Sequence, residues 1–200
     1  SSIDSESDTP SHNDPAARTR WILRYEPWLQ LLARKEIDSR FQGKFSASDA
    51  VQQTLMEAWQ GWGQFQGTDE RQRLAWLRKI LAHQLGHLAR GYAGTQKRDV
   101  RREVSLEQSL ALSSARLGDV LAGDQTSPTA KLDREEQQLR LANVLDRLPP
   151  DYRDVIVMRN LQELSHAEIA QRMQRNEGTV RMLWVRALAR LKKEMSESKS

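Results

Sequence analysis

Between Ser165 and Lys193 the chain carries seven basic residues, Arg172, Arg175, Arg181, Arg186, Arg190, Lys192 and Lys193, against Glu168 and Glu177, a net of +5. Side chains of this kind neutralise phosphate, and their concentration in one short stretch is the electrostatic footprint of a nucleic-acid binder. A second block, residues 71–102, holds nine Lys and Arg against Asp99 alone. Two such blocks suggest two contacts with one polyanion. Just before the second block, Trp62 and Phe65 stand among Gly61, Gly63 and Gly67. Flat rings on a glycine-flexed loop can stack on unpaired bases, or they can simply fill a core.

Catalytic chemistry is poorly provided for. The chain has no cysteine, which removes thiol nucleophiles, disulfides and thiolate metal sites. His83 and His87 have the spacing of a zinc-binding helix, but Gln84 stands where H-E-x-x-H needs its glutamate, and no third ligand is near in sequence. No metal, cofactor or enzymatic activity is expected. A metal-dependent nuclease is the enzyme reading set against this.

Helices must position these groups. Ser165 to Glu168 forms an S-x-x-E capping box, with Leu164 and Ile169 at the positions of a hydrophobic staple, so a helix starts at Ser165. Ile169, Ala170 and Met173 form its inward face. After Gln174 to Glu177, with Asn176 as N-cap, a second helix places Val180, Trp184, Ala187, Leu188 and Leu191 on one stripe. Two helices joined by a four-residue turn have the geometry of a DNA-reading helix-turn-helix; the alternative is an ordinary helical hairpin with a solvated basic face.

Upstream, Asp14 and Pro15 form an N-cap and N1 pair opening a stretch with Ile22, Leu29, Leu32 and Ile37, which Pro27 should kink or split. A helix from about Ser48 to Trp59 buries Val51, Leu55, Ala58 and Trp62, leaving Asp49, Gln52, Gln53, Met56 and Gln60 off the stripe. Another, from about Glu70 to Ala93, buries Leu74, Leu77, Leu81, Leu88 and Tyr92, with Arg71, Arg78 and Lys79 towards solvent. Residues 103–130 are serine-rich and acidic, with Glu103, Glu107, Asp119 and Asp124 against Arg116, and read as a linker. A helix over Leu132 to Leu148 then leads into Pro149 and Pro150.

The expected fold is all-α: a disordered tail over 1–17, a helical domain over 18–102, a flexible linker over 103–130 and a helix-turn-helix domain over 131–195. The acidic, polar stretch 1–15 is unlike a signal sequence and no apolar run is long enough to span a bilayer, so membrane insertion is not expected and the cytoplasm is the expected location.

Residues 139–191, through LDRLPPDYRDVIVMR, LSHAEIAQRM and GTVR, resemble the C-terminal promoter-binding domain of bacterial sigma factors. Residues 18–102, through SDAVQQTLMEAW and AWLRKILAHQLGHLAR, resemble the other conserved sigma domain, and the pair together is similar to the extracytoplasmic-function (ECF) group. The resemblance implies a non-enzymatic subunit of transcription initiation whose partners are core RNA polymerase, promoter DNA and an anti-sigma factor or other regulator.

By position, the resemblance gives Asp49, Gln52, Gln53 and Met56 to polymerase docking, although Asp49 also suits the first turn of a helix. It gives the loop 61–73 with Trp62, Phe65, Arg71 and Arg73, and the basic helix behind it with Arg78 and Lys79, to the downstream promoter element. It gives Arg175, Thr179, Arg181, Met182, Val185, Arg186 and Arg190 to the upstream element. The chain departs from the family pattern at Ala50 and Gln53, at Gln84 and His87, at Gln174 in place of the turn glycine, and at Met182, Leu183 and Val185, where polar or basic residues are usual. Those three can touch thymine methyls or pack on protein. A free-standing helix-turn-helix regulator, able to bind its operator unaided, is the alternative reading of the whole chain.

Overall fold

Local signals set the helix ends. The computed structural model describes residues 14–38, 46–93, 100–122 and 133–197. Helix α1 (Pro15–Leu23) is capped by Asp14, whose carboxylate accepts from the Ala17 N–H at 2.9 Å. Pro27 falls in the first turn of α2 (Glu26–Glu36), where its missing N–H is harmless, so the chain breaks into two helices. Helix α3 spans Ala47–Gln60 with Ser46 as its cap, and a 3₁₀ turn, Gly61–Gln64, leads to α4 (Glu70–Ala93). Helices α5 (Val100–Ala122) and α6 (Asp133–Arg147) follow. Pro149 and Pro150 separate α6 from α7 (Pro150–Ile156), which widens into a π-helical turn over Val157–Leu161 before α8 (His166–Met173) and α9 (Glu177–Glu197). Among the described residues there is no strand, and no helix is long and apolar enough to cross a membrane.

The segment expected as a linker is different. Residues 100–122 are a helix, and Leu106, Leu110 and Leu117 are fully buried on one side of it. Its serines, which look like linker composition, lie on the same side. Ser109 Oγ donates to Glu36 Oε1 at 2.6 Å and accepts from Lys35 Nζ at 2.9 Å. Ser114 Oγ donates to Gln138 Oε1 at 2.6 Å and accepts from Arg78 Nη1 at 3.3 Å. Small side chains let neighbouring helices approach, and each hydroxyl finds a partner that would otherwise be stranded away from water. Each buried leucine adds on the order of 1.5–3 kcal/mol as an upper estimate. Helix α5 thereby packs on α2, α4, α6 and the π-helical turn, and α6 packs on α2, so the halves of the chain meet through it. Residues 123–130 of the expected linker, 1–13 of the expected tail and the Tyr92 side chain lie outside the described residues.

The aromatic residues gather around α1 and α2. Trp21, Tyr25, Trp28 and Trp62 are all buried, with Trp21 edge-on to Trp62 at 4.6 Å and to Tyr25 at 4.9 Å between ring centroids. Burial, reinforced by the neighbouring Glu70 carboxylate, pushes the Tyr25 hydroxyl pKa well above its ordinary value.

Candidate nucleic-acid interface

The C-terminal unit is built as expected from its caps. Ser165 Oγ accepts from the Glu168 N–H at 3.2 Å, while Glu168 Oε2 accepts from the Ser165 N–H and hydroxyl, each at 2.7 Å. Those Ser165 hydrogen bonds hold the Glu168 carboxyl below its ordinary pKa, because they favour the ionised form. Helix α8 ends at Gln174, which takes a left-handed conformation at φ 53°, and the Arg175 N–H closes the turn on the Ala170 carbonyl at 2.9 Å. Asn176 Oδ1 then accepts from the Thr179 N–H at 2.8 Å and starts α9.

Two side-chain ties absent from the sequence argument fix the orientation of this unit. Arg175 pairs with Asp151 of α7, and Trp184 Nε1 donates to Asn160 Oδ1 at 3.1 Å while its ring stands edge-on to His166. With Val180, Ala187 and Leu191 buried, the opposite side of α9 is committed to solvent. Thr179, Arg181, Met182, Val185, Arg186 and Arg190 all lie there, as does Arg175 in the turn. Leu183 instead packs against the core. Arg181 pairs with Glu177 at 2.8 Å and Arg190 with Glu194 at 2.7 Å. Such exposed pairs are worth about 0–1 kcal/mol and give way readily to phosphate.

Helix α3 also keeps its expected outer face. Asp49, Gln52, Gln53 and Met56 are exposed, opposite Ala50, Val51, Thr54 and Ala58. Trp59, one turn past Met56, is 39% exposed and lies beneath the Arg18 guanidinium at 5.0 Å. Its spacing of three from Met56 was the available signal that it shares this face.

The glycine-flanked loop and α4 depart from expectation. Trp62 is 1% exposed and packs on Trp21, so it cannot serve as an open stacking platform. Phe65 is half-buried, stacked on Trp76 at 4.8 Å, and its ring lies across Gly67, where a Cβ would approach to 2.2 Å. Arg73 is buried, with its guanidinium 5.3 Å from the Trp21 ring centroid and 3.1 Å from Glu70, which also holds Arg24 at 2.8 Å. Arg78 turns towards Ser114, and burial lowers its pKa from the ordinary guanidinium value. Arg71 and Lys79 remain exposed. His83 lies 3.7 Å from Glu57, and no cluster of three metal-type ligands occurs among the described residues.

Residues 138–191 match the family model "Sigma-70, region 4". That span contains most of α6, all of α7 and α8, and α9 as far as Leu191. The chain is also 28% identical over 169 residues to the RNA polymerase sigma-H factor of Pseudomonas aeruginosa, covering 83% of this chain and 79% of that relative. This chain is an RNA polymerase sigma factor. Region 4 of the sigma factor thus holds the helix-turn-helix whose α9 arginines face outward, and the similarity to a whole sigma factor extends well beyond that span.

Proposed function

We propose that this sigma factor docks core RNA polymerase through the outer face of α3 and directs it to promoters whose upstream element is read by α9. The observation that carries the proposal is the agreement between the region 4 match and a capped helix-turn-helix whose exposed side holds Arg181, Met182, Val185 and Arg186. Asp49, Gln52, Gln53, Met56 and, in addition, Trp59 form the docking face. An aromatic anchor within a polar rim is the usual anatomy of such a contact. Downstream contacts fall to Arg71 and Lys79 and to the exposed loop groups Gln64 and Gln66, because Trp62, Arg73 and Arg78 are turned inward. The protein belongs with the ECF group by its paired sigma domains, acts in the cytoplasm, has no catalytic centre of its own, and is subject to an anti-sigma factor or similar regulator; these last readings rest on the family resemblance.

The test is reconstitution with core polymerase. The 200-residue chain should confer specific transcription on core and bind promoter DNA weakly alone, whereas a free-standing regulator would bind an operator unaided. Replacing Asp49 and Gln53 together with Ala should weaken the complex with core while moving stability by less than about 0.5 kcal/mol. A complex of parental strength would move the docking face elsewhere.

A further inference from the structure

Met182 and Val185 are large apolar side chains that α9 leaves 53% and 49% exposed. Their orientation is not free to change. Val180, Ala187 and Leu191 hold the other side of the helix in the core, and Trp184 is tied to Asn160. Both residues fall in the first three turns of α9, the part of a recognition helix that meets base edges. Arg181 and Arg186 adjoin them, with Arg175 and Arg190 further out. An apolar pair inside a cationic frame matches a surface that is apolar at its centre and anionic at its margins. In the major groove that surface is the thymine 5-methyl group between the phosphate rails. An apolar protein groove would give the surrounding arginines no anions to meet.

We infer that Met182 and Val185 select thymine at neighbouring positions of the upstream element by packing on its 5-methyl groups. Three residues advance α9 by about 4.5 Å, comparable with one base step of about 3.4 Å, so the two side chains address adjacent base pairs. Arg181 and Arg186 set the register on the flanking phosphates or guanines. The inference rests on the reading of α9 as the upstream reader, and deepens it.

Deoxyuridine removes the methyl group and leaves pairing intact, so the decisive variant is in the DNA and raises no question of folding. Duplexes are first selected from a randomised upstream stretch by the parent holoenzyme, and each thymine is then replaced singly by deoxyuridine. At one or two adjacent positions the replacement should weaken holoenzyme binding about fourfold, the equivalent of about 0.8 kcal/mol for one buried methyl-sized group. Met182→Ala should abolish the sensitivity at one position and Val185→Ala at its neighbour. Selected sequences without a sensitive thymine, or a sensitivity that both variants retain, would overturn the inference while leaving α9 as the reader. Variants that bind the selected duplex as the parent does yet lose activity would assign the pair to a protein partner instead. If the parent holoenzyme selects no upstream sequence at all, the reading of α9 falls and the inference with it.

Discussion

On α4, Arg73 is buried against Trp21 and Arg78 is tied to Ser114, whereas on α9 Arg181, Arg186 and Arg190 all stand in solvent. The two helices look alike as charge patterns. They differ in their neighbours. Helix α9 buries one side on a small unit and meets nothing on the other, so every cation off its apolar stripe is available to DNA. Helix α4 is embraced by α3 and α5, with α2 also in contact, and its stripe extends to flanking positions. A guanidinium caught there stacks on an aromatic ring and pairs with Glu70 instead of phosphate. Basic density in a sequence therefore measures open positive charge only where the helix has one open side.

Trp62 gives the sharpest test of this contrast. Trp62→Ala should destabilise the protein by about 3–5 kcal/mol in urea unfolding, because it empties a site packed against Trp21. A change near zero would return Trp62 to the loop surface. Leu110→Ala on α5 should cost about 2–5 kcal/mol by the same mechanism; a flexible tether at this position would show almost none. The two arginine classes should then separate cleanly. Arg73→Ala should lower stability by about 1–3 kcal/mol, since Glu70 loses one of its two cations in a partly buried setting. Arg186→Ala should move stability by less than about 0.5 kcal/mol, yet weaken promoter binding by about 1–3 kcal/mol if it pairs bidentately with guanine. Equal thermal melts for the two variants would erase the distinction.

The smallest expected effect is a gain. Gln174 occupies a left-handed position that a side chain disfavours by roughly 1–2 kcal/mol, partly returned as chain entropy when glycine is placed there. Gln174→Gly should therefore raise the melting temperature by a few degrees, about 2–4 °C per kcal/mol for a chain of this size. A lower melting temperature would mean that the Gln174 side chain contributes more than its backbone strain removes.

The sequence by itself determined where α1, α8 and α9 begin, where α1 gives way to α2, and that the C-terminal unit is a helix-turn-helix. Those features are set within three or four residues: Asp14 reaches Ala17, Ser165 and Glu168 reach each other, Asn176 reaches Thr179, and Pro27 breaks the chain where it stands. The outer faces of α3 and α9 were legible for a related reason, since each helix has a narrow stripe and an open back. Only the tertiary structure decided which way the borderline residues turn. Ser109 and Ser114 lie inward because Glu36 and Gln138, distant in sequence, arrive opposite them. Trp62 is core and Trp59 half-open because α1 covers one and leaves the other beneath Arg18. Helical periodicity specifies an apolar centre line, but the width of what is buried is set by the neighbouring helices, and their positions are not written in any local stretch of chain.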